Sequence, residues 1–185
     1  MYAILMRATL LSWLPNDLRG RRLLDAGCGT GALAVAAAQL GAHVTAIDIS
    51  GGLVDVARDR APSGLDIDWR VGDMLDPALG QFDHVVAMDS LIHYETGDIV
   101  DVLTALGARS PSIAFTFAPR TPLLAAMHAT GKLFPRSNRA PAIVPVAEAR
   151  LTRLLAQRLP SHGIAASERI VSGFYTSHAM MVSRG

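Results

Sequence analysis

A glycine-rich turn led by an acid is the feature of this chain best suited to chemistry. It spans residues 23–31, LLDAGCGTG, and its alternating glycines let the backbone turn sharply and a ligand lie directly against it. A second acid, Asp48, ends the next apolar run, a position from which a carboxylate accepts the hydroxyls of a ribose. The spacing therefore predicts a nucleotide-cofactor site formed by Asp25, Gly27, Cys28, Gly29, Gly31, Asp48 and Ile49.

Two cofactor classes fit this loop. Gly27, Gly29 and Ala32 formally satisfy the dinucleotide pattern G-x-G-x-x-G/A. A carboxylate at Asp25 would repel a pyrophosphate, whereas S-adenosylmethionine has no phosphate and carries an ammonium and a sulfonium. The charge argument favours S-adenosylmethionine, with Asp25 near its ammonium, and a dinucleotide remains the alternative.

The turn after the third predicted strand supplies candidates for the adenine end of the cofactor. It reads Gly72-Asp73-Met74, which would present a carboxylate to the adenine amino group and a thioether to the ring face. An Asp after a Gly is also ordinary turn chemistry, so a structural role for Asp73 stays open.

The end of the fourth predicted strand lies where the transferable methyl group should be. Met88 and Asp89 are predicted to bind cofactor there, and His93 lies where a substrate group should arrive. Tyr94 is a second catalytic candidate, although an aromatic at this position can also pack beneath the helix that follows. We expect no metal site, because the other histidines lack partners at metal-ligand spacing.

The elements that position these residues alternate between strand and helix. Strands are predicted at 22–25, 43–48, 67–72, 84–89 and 112–118, with helical segments between them. This alternation predicts a Rossmann-like, doubly wound α/β sheet in one domain over residues 1–185. Extended runs at 165–171 and 174–182 predict a C-terminal antiparallel hairpin, typical of class I S-adenosylmethionine-dependent methyltransferases. Residues 119–146 are Pro-rich and predict a capping insertion after the fifth strand.

Composition narrows the class of protein. Of the 185 residues, 50% are hydrophobic and 18% charged, the formal net charge is +1, and no apolar run is long enough to span a membrane. A single cysteine and the absence of a signal pattern favour the cytoplasm. Residues 102–147 contain no acid but several bases, Arg109 among them, which indicates a surface for an anionic substrate or anionic lipid. The near-neutral charge argues against nucleic acid.

Three segments together resemble the magnesium protoporphyrin IX O-methyltransferase family: GDM at 72–74, FDHVVAMDSLIHY at 82–94 and GKLFPRSNR at 131–139. The resemblance implies methylation of one propionate of Mg-protoporphyrin IX in (bacterio)chlorophyll biosynthesis, with S-adenosylhomocysteine as product and magnesium present only in the substrate. It also implies substrate delivery by the porphyrin-binding magnesium chelatase subunit. The acid-free, base-containing cap and the high apolar content favour peripheral contact with a photosynthetic membrane. A flat, apolar dianion would suit a cap containing Arg120, Met127, Lys132, Phe134, Arg136 and Arg139.

The sequence leaves alternative functions open. Family members carry an N-terminal helical segment ahead of the position of Met6, and we expect this chain to lack it, which leaves activity open. The alternatives are a methyltransferase for another lipophilic acceptor, such as a quinone precursor, and a truncated, non-catalytic porphyrin- or cofactor-binding module. His93 would either orient the reacting carboxylate or reach the substrate magnesium.

Overall fold

Seven strands form one sheet in the computed structural model, which describes residues 2–120, 143–172 and 175–185. In chain order they are β1 (Arg22–Ala26), β2 (His43–Asp48), β3 (Ile67–Val71), β4 (His84–Ala87), β5 (Ser112–Phe117), β6 (Gly163–Ser172) and β7 (Tyr175–Ser183). Their spatial order is β3-β2-β1-β4-β5-β7-β6. Strands β1 to β5 pair in parallel, and β7 lies antiparallel between β5 and β6.

Helices cover both faces of the sheet. They are α1 (Tyr2–Ser12), α2 (Ala32–Gln39), α3 (Gly51–Arg60), α4 (Thr96–Gly107) and α5 (Glu148–Arg158), with a 3-10 turn at Pro77–Leu79. The first three helices share one apolar cluster with the sheet, and α4 and α5 share the other. The predicted doubly wound sheet and its C-terminal antiparallel strands are therefore confirmed.

Burial explains why the central strands read as continuous apolar runs. Every residue of β5 is buried, because helices pack on both faces of a parallel strand at the middle of the sheet. Ile113 and Phe115 point into the cluster with α4 and α5, whereas Ala114 points into the other cluster. Since β1 to β4 run parallel to β5, the polar residues that follow them meet at one edge of the sheet.

The segment that follows β5 leaves the sheet after Arg120 and returns beside its own start at Val146. Pro119 and Val146 form a parallel bridge, the Arg120 N–H donates to the Val146 carbonyl at 2.8 Å, and the Val146 N–H donates to the Ala118 carbonyl at 2.8 Å. The predicted cap between these stems lies largely outside the described residues, and so do Met127, Lys132, Phe134, Arg136 and Arg139. In the described part of the chain, no helix has the length and hydropathy to cross a membrane.

Candidate active site

A cavity of about 770 Å³ lies at the carboxyl ends of β1, β2 and β4. Its volume falls in the range of roughly 300–1,000 Å³ that is usual for small-molecule sites. Apart from Gly31, every residue predicted for cofactor binding or catalysis lines it: Asp25, Gly27, Cys28, Gly29, Asp48, Ile49, Gly72, Asp73, Met74, Met88, Asp89, His93 and Tyr94.

Gly27 and Gly29 are glycines for different reasons. Both have positive φ, 81° and 52°, which side-chain-bearing residues adopt only at a cost. A Cβ on Gly27 would lie 2.4 Å from the Ser90 Cβ, so this glycine lets the loops after β1 and β4 approach each other. A Cβ on Gly29 would have no neighbour within 4 Å, because this residue borders open cavity space.

Gly31 lies outside the lining of the cavity. A Cβ added to it would lie 2.4 Å from the Trp69 ring and 2.9 Å from the Ala57 side chain. Packing between α2, α3 and β3 therefore accounts for a glycine here, and the contact of Gly31 with the cofactor stays a prediction.

Asp48 links two backbone segments at the tip of β2. Its Oδ2 accepts from the Gly29 N–H at 2.9 Å, and its Oδ1 accepts from the Ser50 N–H at 2.9 Å. A carboxylate has about four acceptor sites, so Asp48 can still receive both hydroxyls of a ribose. The two backbone bonds hold it in place before any ligand binds.

Asp25 is a buried acid facing the cavity. Its side chain is 1% exposed, and its Oδ2 has no hydrogen-bond partner. Burial raises its pKa to about 7, the neighbouring Ala34 N–H opposes that rise, and the charge of Asp48 adds to it. A buried oxygen without a partner that also lines the cavity is suited to a cationic ligand group such as an ammonium.

The Cys28 thiol is not a nucleophile in this site. Burial, followed by the negative charges of Asp25 and Asp48, raises its pKa to about 12. The thiol therefore stays protonated at neutral pH and contributes an apolar surface beside the glycines.

The adenine end of the predicted site is open in the protein alone. Ile49 is 84% exposed although it lines the cavity, so a bound ligand would cover it. The Asp73 Oδ1 accepts from the Leu75 N–H at 2.8 Å, which is the turn chemistry considered above and leaves its other oxygen for a ligand. Arg109 binds the carbonyls of Leu75 and Asp76 and thereby holds this loop, rather than contributing to a basic surface.

The loop after β4 combines a strained backbone with a half-buried carboxylate, that of Asp89. Asp89 has φ 57°, an unusual conformation for a residue with a side chain. Its N–H donates to the Thr116 Oγ1 at 2.8 Å, and its carboxylate accepts from that hydroxyl at 3.4 Å. Burial raises the pKa of Asp89, while the Thr116 hydrogen bond and the nearby His93 oppose the rise.

The two catalytic candidates differ in exposure. His93 is exposed and lines the cavity, where a substrate group can reach it. Tyr94 lines the cavity too, but it is half-buried and packs against the apolar cluster that contains α4, as its alternative interpretation predicted. The Val144 N–H donates to the Ile92 carbonyl at 2.9 Å, so the stem that returns from the predicted cap lies beside His93.

Sequence reasoning missed several lining residues. Ala3 and Arg7 come from α1, and Ser90 carries a buried Oγ that has no hydrogen-bond partner. Arg7 is the sole charged residue of α1, and this single charge in an apolar helix was the signal available in the sequence. The remaining unpredicted lining residues are Thr30, Ala32, Leu33, Ile47 and Leu53.

Arg120 does not line this cavity: it is exposed, at the stem of the predicted cap. Its part in substrate binding stays a prediction. Within residues 2–120, 143–172 and 175–185, no group of three or more His, Cys, Asp or Glu side chains could hold a metal ion.

Comparison with known proteins gives consistent matches along the chain. Residues 87–184 match the family described as magnesium-protoporphyrin IX methyltransferase C-terminus, and residues 23–108 match a general methyltransferase domain. Magnesium-protoporphyrin O-methyltransferase of Rhodobacter capsulatus is 52% identical over 178 residues, which cover 95% of this chain and 77% of that protein. The magnesium protoporphyrin IX methyltransferase of Synechocystis PCC 6803, solved with bound S-adenosylhomocysteine, superposes with a TM-score of 0.81 at 28% identity and covers 99% of this chain and 82% of that one.

The fold and the acid-lined glycine loop define a class I S-adenosylmethionine-dependent methyltransferase. The family model that matches residues 87–184, more than half of the chain, and the 52% identical relative identify one family within that class. The chain belongs to the magnesium-protoporphyrin IX methyltransferase family.

Proposed function

We propose that this protein transfers a methyl group from S-adenosylmethionine to a propionate carboxylate of Mg-protoporphyrin IX. The products are the monomethyl ester and S-adenosylhomocysteine, in (bacterio)chlorophyll biosynthesis. The observation that carries the proposal is the 52% identity, along 95% of this chain, to a magnesium-protoporphyrin O-methyltransferase.

The residues of the cavity fit the cofactor. Asp25 would receive the ammonium on its partnerless Oδ2, Asp48 the ribose hydroxyls, and Asp73 the adenine amino group. Bound S-adenosylmethionine supplies an electrophilic methyl group on its sulfonium. Four carboxylates line the cavity, from Asp25, Asp48, Asp73 and Asp89, and their charge suits a ligand that is cationic overall.

No general base is needed for the acceptor. A propionate is ionised at neutral pH, since carboxyl groups ordinarily titrate near pH 4. What remains for the protein is to align the carboxylate with the methyl group and to exclude water. His93 is proposed to orient that carboxylate, because it is an exposed side chain of the loop after β4 that also lines the cavity.

An anionic acceptor must approach a cavity rich in acids. Because Asp89 and the other carboxylates repel it, cationic groups have to hold the propionates at the rim. We propose that Arg120, Lys132, Arg136 and Arg139 do so, together with the apolar Met127 and Phe134 beneath the porphyrin plane. This follows from the acid-free composition of residues 102–147 and from the position of the cap stems beside His93.

The test is methyl transfer from labelled S-adenosylmethionine to Mg-protoporphyrin IX, with metal-free protoporphyrin and a ubiquinone-precursor phenol in parallel. We expect ester on the magnesium porphyrin and no product on the phenol. The phenol is included because a ubiquinone biosynthesis O-methyltransferase of Methylocella silvestris is 48% identical, although over only 44% of this chain. Methylation of the phenol alone would overturn the proposal.

We further propose that the protein works in the cytoplasm at the surface of a photosynthetic membrane and takes its porphyrin from the magnesium chelatase subunit that binds it. The support is the poor solubility of a porphyrin and the acid-free, base-containing stretch at 102–147. Flotation with vesicles of anionic and of neutral lipid tests the first part. Equal recovery with both lipids would contradict an electrostatic membrane contact.

A further inference from the structure

The segment between β3 and β4 brings Asp73 and Met74 to the cavity and is bent by aspartate turns. The Asp73 Oδ1 accepts from the Leu75 N–H at 2.8 Å, and the Asp73 carbonyl accepts from the Asp76 N–H at 3.1 Å. The Asp76 Oδ1 accepts from the Ala78 N–H at 2.8 Å. All of these bonds join near neighbours in the chain, so they shape the turns without tying them to the sheet.

Arg109 ties this segment to the connection between α4 and β5. Its Nη1 donates to the Asp76 carbonyl at 2.7 Å, and its Nη2 donates to the Leu75 carbonyl. The backbone of Arg109 is itself held, because its N–H donates to the Leu106 carbonyl at 2.9 Å and its carbonyl accepts from the Phe82 N–H at 3.0 Å. The guanidinium is therefore a fixed anchor for two consecutive carbonyls of the segment.

Binding to backbone carbonyls distinguishes Arg109 from other arginines of this chain. On the surface Arg19 pairs with Asp17 at 2.7 Å, and Arg158 pairs with Asp101 at 2.8 Å. Arg109 is half-buried and directs its forked donors at neutral oxygens. Two bonds from one planar group fix an orientation as well as a distance, so this arrangement is suited to holding a backbone segment in place.

The orientation of the Asp73 carboxylate depends on this anchor. Leu75, whose carbonyl Arg109 binds, is also the residue whose N–H donates to the Asp73 Oδ1. Asp73 is exposed, and its neighbour Met74 packs against the apolar cluster that contains α4. Because an exposed side chain keeps one rotamer only where contacts hold it, the direction of this carboxylate follows from a chain of contacts that begins at Arg109.

We propose that Arg109 is a positioning residue that makes the site specific for adenine over hypoxanthine, the base with a carbonyl in place of the amino group. A carboxylate held in one place accepts from the adenine amino group but is repelled by the hypoxanthine oxygen. A loosely held carboxylate can shift to the ring N–H beside that oxygen, so loss of the anchor lowers the discrimination. The inference rests on the proposed cofactor placement, with Asp73 at the adenine amino group.

Calorimetric titration with S-adenosylhomocysteine and with S-inosylhomocysteine tests the assignment. We expect the wild type to bind S-adenosylhomocysteine roughly 10- to 100-fold more tightly, the range for a hydrogen bond to a charged group. In Arg109→Met this ratio should fall several-fold. Partial unfolding lowers the affinity for both ligands by the same factor, so the ratio separates positioning from stability. An Arg109→Met variant that keeps the wild-type ratio overturns the inference.

Arg184→Met is the matched control. The Arg184 Nη2 donates to the Gly107 carbonyl at 2.5 Å, so this variant loses the same charge and a similar bond without changing the segment after β3. It should keep the wild-type ratio, and a fall as large as in Arg109→Met would overturn the inference. If Arg109→Met does not fold, Arg109→Lys keeps the charge without the two-pronged geometry and should give an intermediate ratio. A wild-type ratio in Arg109→Lys would count against an anchor of paired hydrogen bonds.

Two further outcomes separate this inference from the proposed function. A wild type that binds both ligands equally but methylates Mg-protoporphyrin IX would overturn the inference and leave the proposed function standing. A wild type that discriminates, beside an Arg109→Met variant that does not, would support the role of Arg109 even without methylation of the porphyrin, which would then overturn the proposed function alone.

Discussion

The loop after β1 and the loop after β4 meet across the cavity, yet they are built in opposite ways. The first loop turns at glycines and offers a backbone surface and cavity space. The second turns at Asp89, which has a positive φ with a side chain present, and it offers Ser90, His93 and Tyr94. A backbone surface suits a cofactor of fixed shape, whereas side chains can be changed individually to suit an acceptor.

The two loops also differ in the conformational strain of their backbones. The glycine loop needs little from its surroundings, since glycine adopts positive φ without steric cost. At Asp89 the surroundings hold the strain through the two contacts with Thr116. We therefore expect changes in the first loop to abolish cofactor binding and changes in the second to alter the chemical step.

Gly27→Ala should have the largest effect. The added Cβ would lie 2.4 Å from the Ser90 Cβ at φ 81°, so the two loops would be forced apart. We expect a loss of about 2–4 kcal/mol in the free energy of unfolding, from the left-handed backbone plus overpacking. Cofactor affinity should fall by more than about 100-fold, because a shift of the loop breaks several contacts together.

Gly20→Ala is the control for that experiment. Gly20 has a similar φ of 72°, but a Cβ there would meet nothing within 4 Å. The backbone cost, about 1 kcal/mol, should appear in thermal unfolding without any change in cofactor affinity. Equal affinities for the two variants would show that the close approach to Ser90 is unimportant.

Asp25→Asn should move affinity and stability in opposite directions. Loss of the charge that meets the ammonium is expected to weaken cofactor binding by roughly 10- to 100-fold. Because burial raises the pKa of Asp25 to about 7, ionisation of this group destabilises the folded protein without ligand. The penalty is absent below about pH 4, grows as the pH rises to about 7, and is constant above.

Chemical denaturation without cofactor measures the stability part. At pH 8 the variant should exceed the wild type by up to about 4 kcal/mol, and at pH 5 by less, following about 1.4 kcal/mol per pKa unit. A difference that does not depend on pH would mean that the pKa of Asp25 is the same in the folded and the unfolded protein.

His93→Ala should slow methyl transfer and spare the cofactor. Removing a group that orients the acceptor is expected to cost roughly 10-fold in single-turnover rate, below the hundredfold that a 1 Å misplacement can cost. Affinity for S-adenosylhomocysteine should not change. His43→Ala serves as control, since His43 is exposed at the other end of β2 and pairs with Asp66. A normal single-turnover rate in His93→Ala would remove both roles considered for this side chain.

Thr116→Val should have the smallest effect. It removes the hydroxyl that accepts from the Asp89 N–H at 2.8 Å and should cost about 1 kcal/mol in the free energy of unfolding. The loop after β4 would then hold its strained residue less firmly, and turnover should fall a few-fold. Thr104→Val, which removes a 2.7 Å bond to the Val100 carbonyl within α4, should cost similar stability and no turnover.

The sequence predicted the fold because its signals are local. Strands β1 and β2 are short apolar runs that end at a glycine or an acid, and parallel strands bring those ends together at one edge of the sheet. The spacing of Asp25 and Asp48 around the glycines therefore predicted a shared cavity without any knowledge of tertiary contacts.

The features of the site that the sequence did not predict depend on contacts between distant parts of the chain. Gly31 reads like its neighbours in the loop, and only the Trp69 ring beside it shows that packing explains the glycine. The place of Arg7 at the cavity follows from how Met6 and Leu10 of α1 pack into the apolar cluster. The hydrogen bond from the Gly29 N–H to the Asp48 carboxylate likewise could not be predicted from residue spacing.

The bridge between Pro119 and Val146 bears on how such enzymes can diversify. It closes the base of the segment between the stems with backbone hydrogen bonds, next to β5. The entropy of closing a loop grows only with the logarithm of its length, so a segment on a closed base can lengthen or shorten with little effect on the sheet. The segment that contacts the acceptor can then change during evolution, while the residues that bind the methyl donor stay the same.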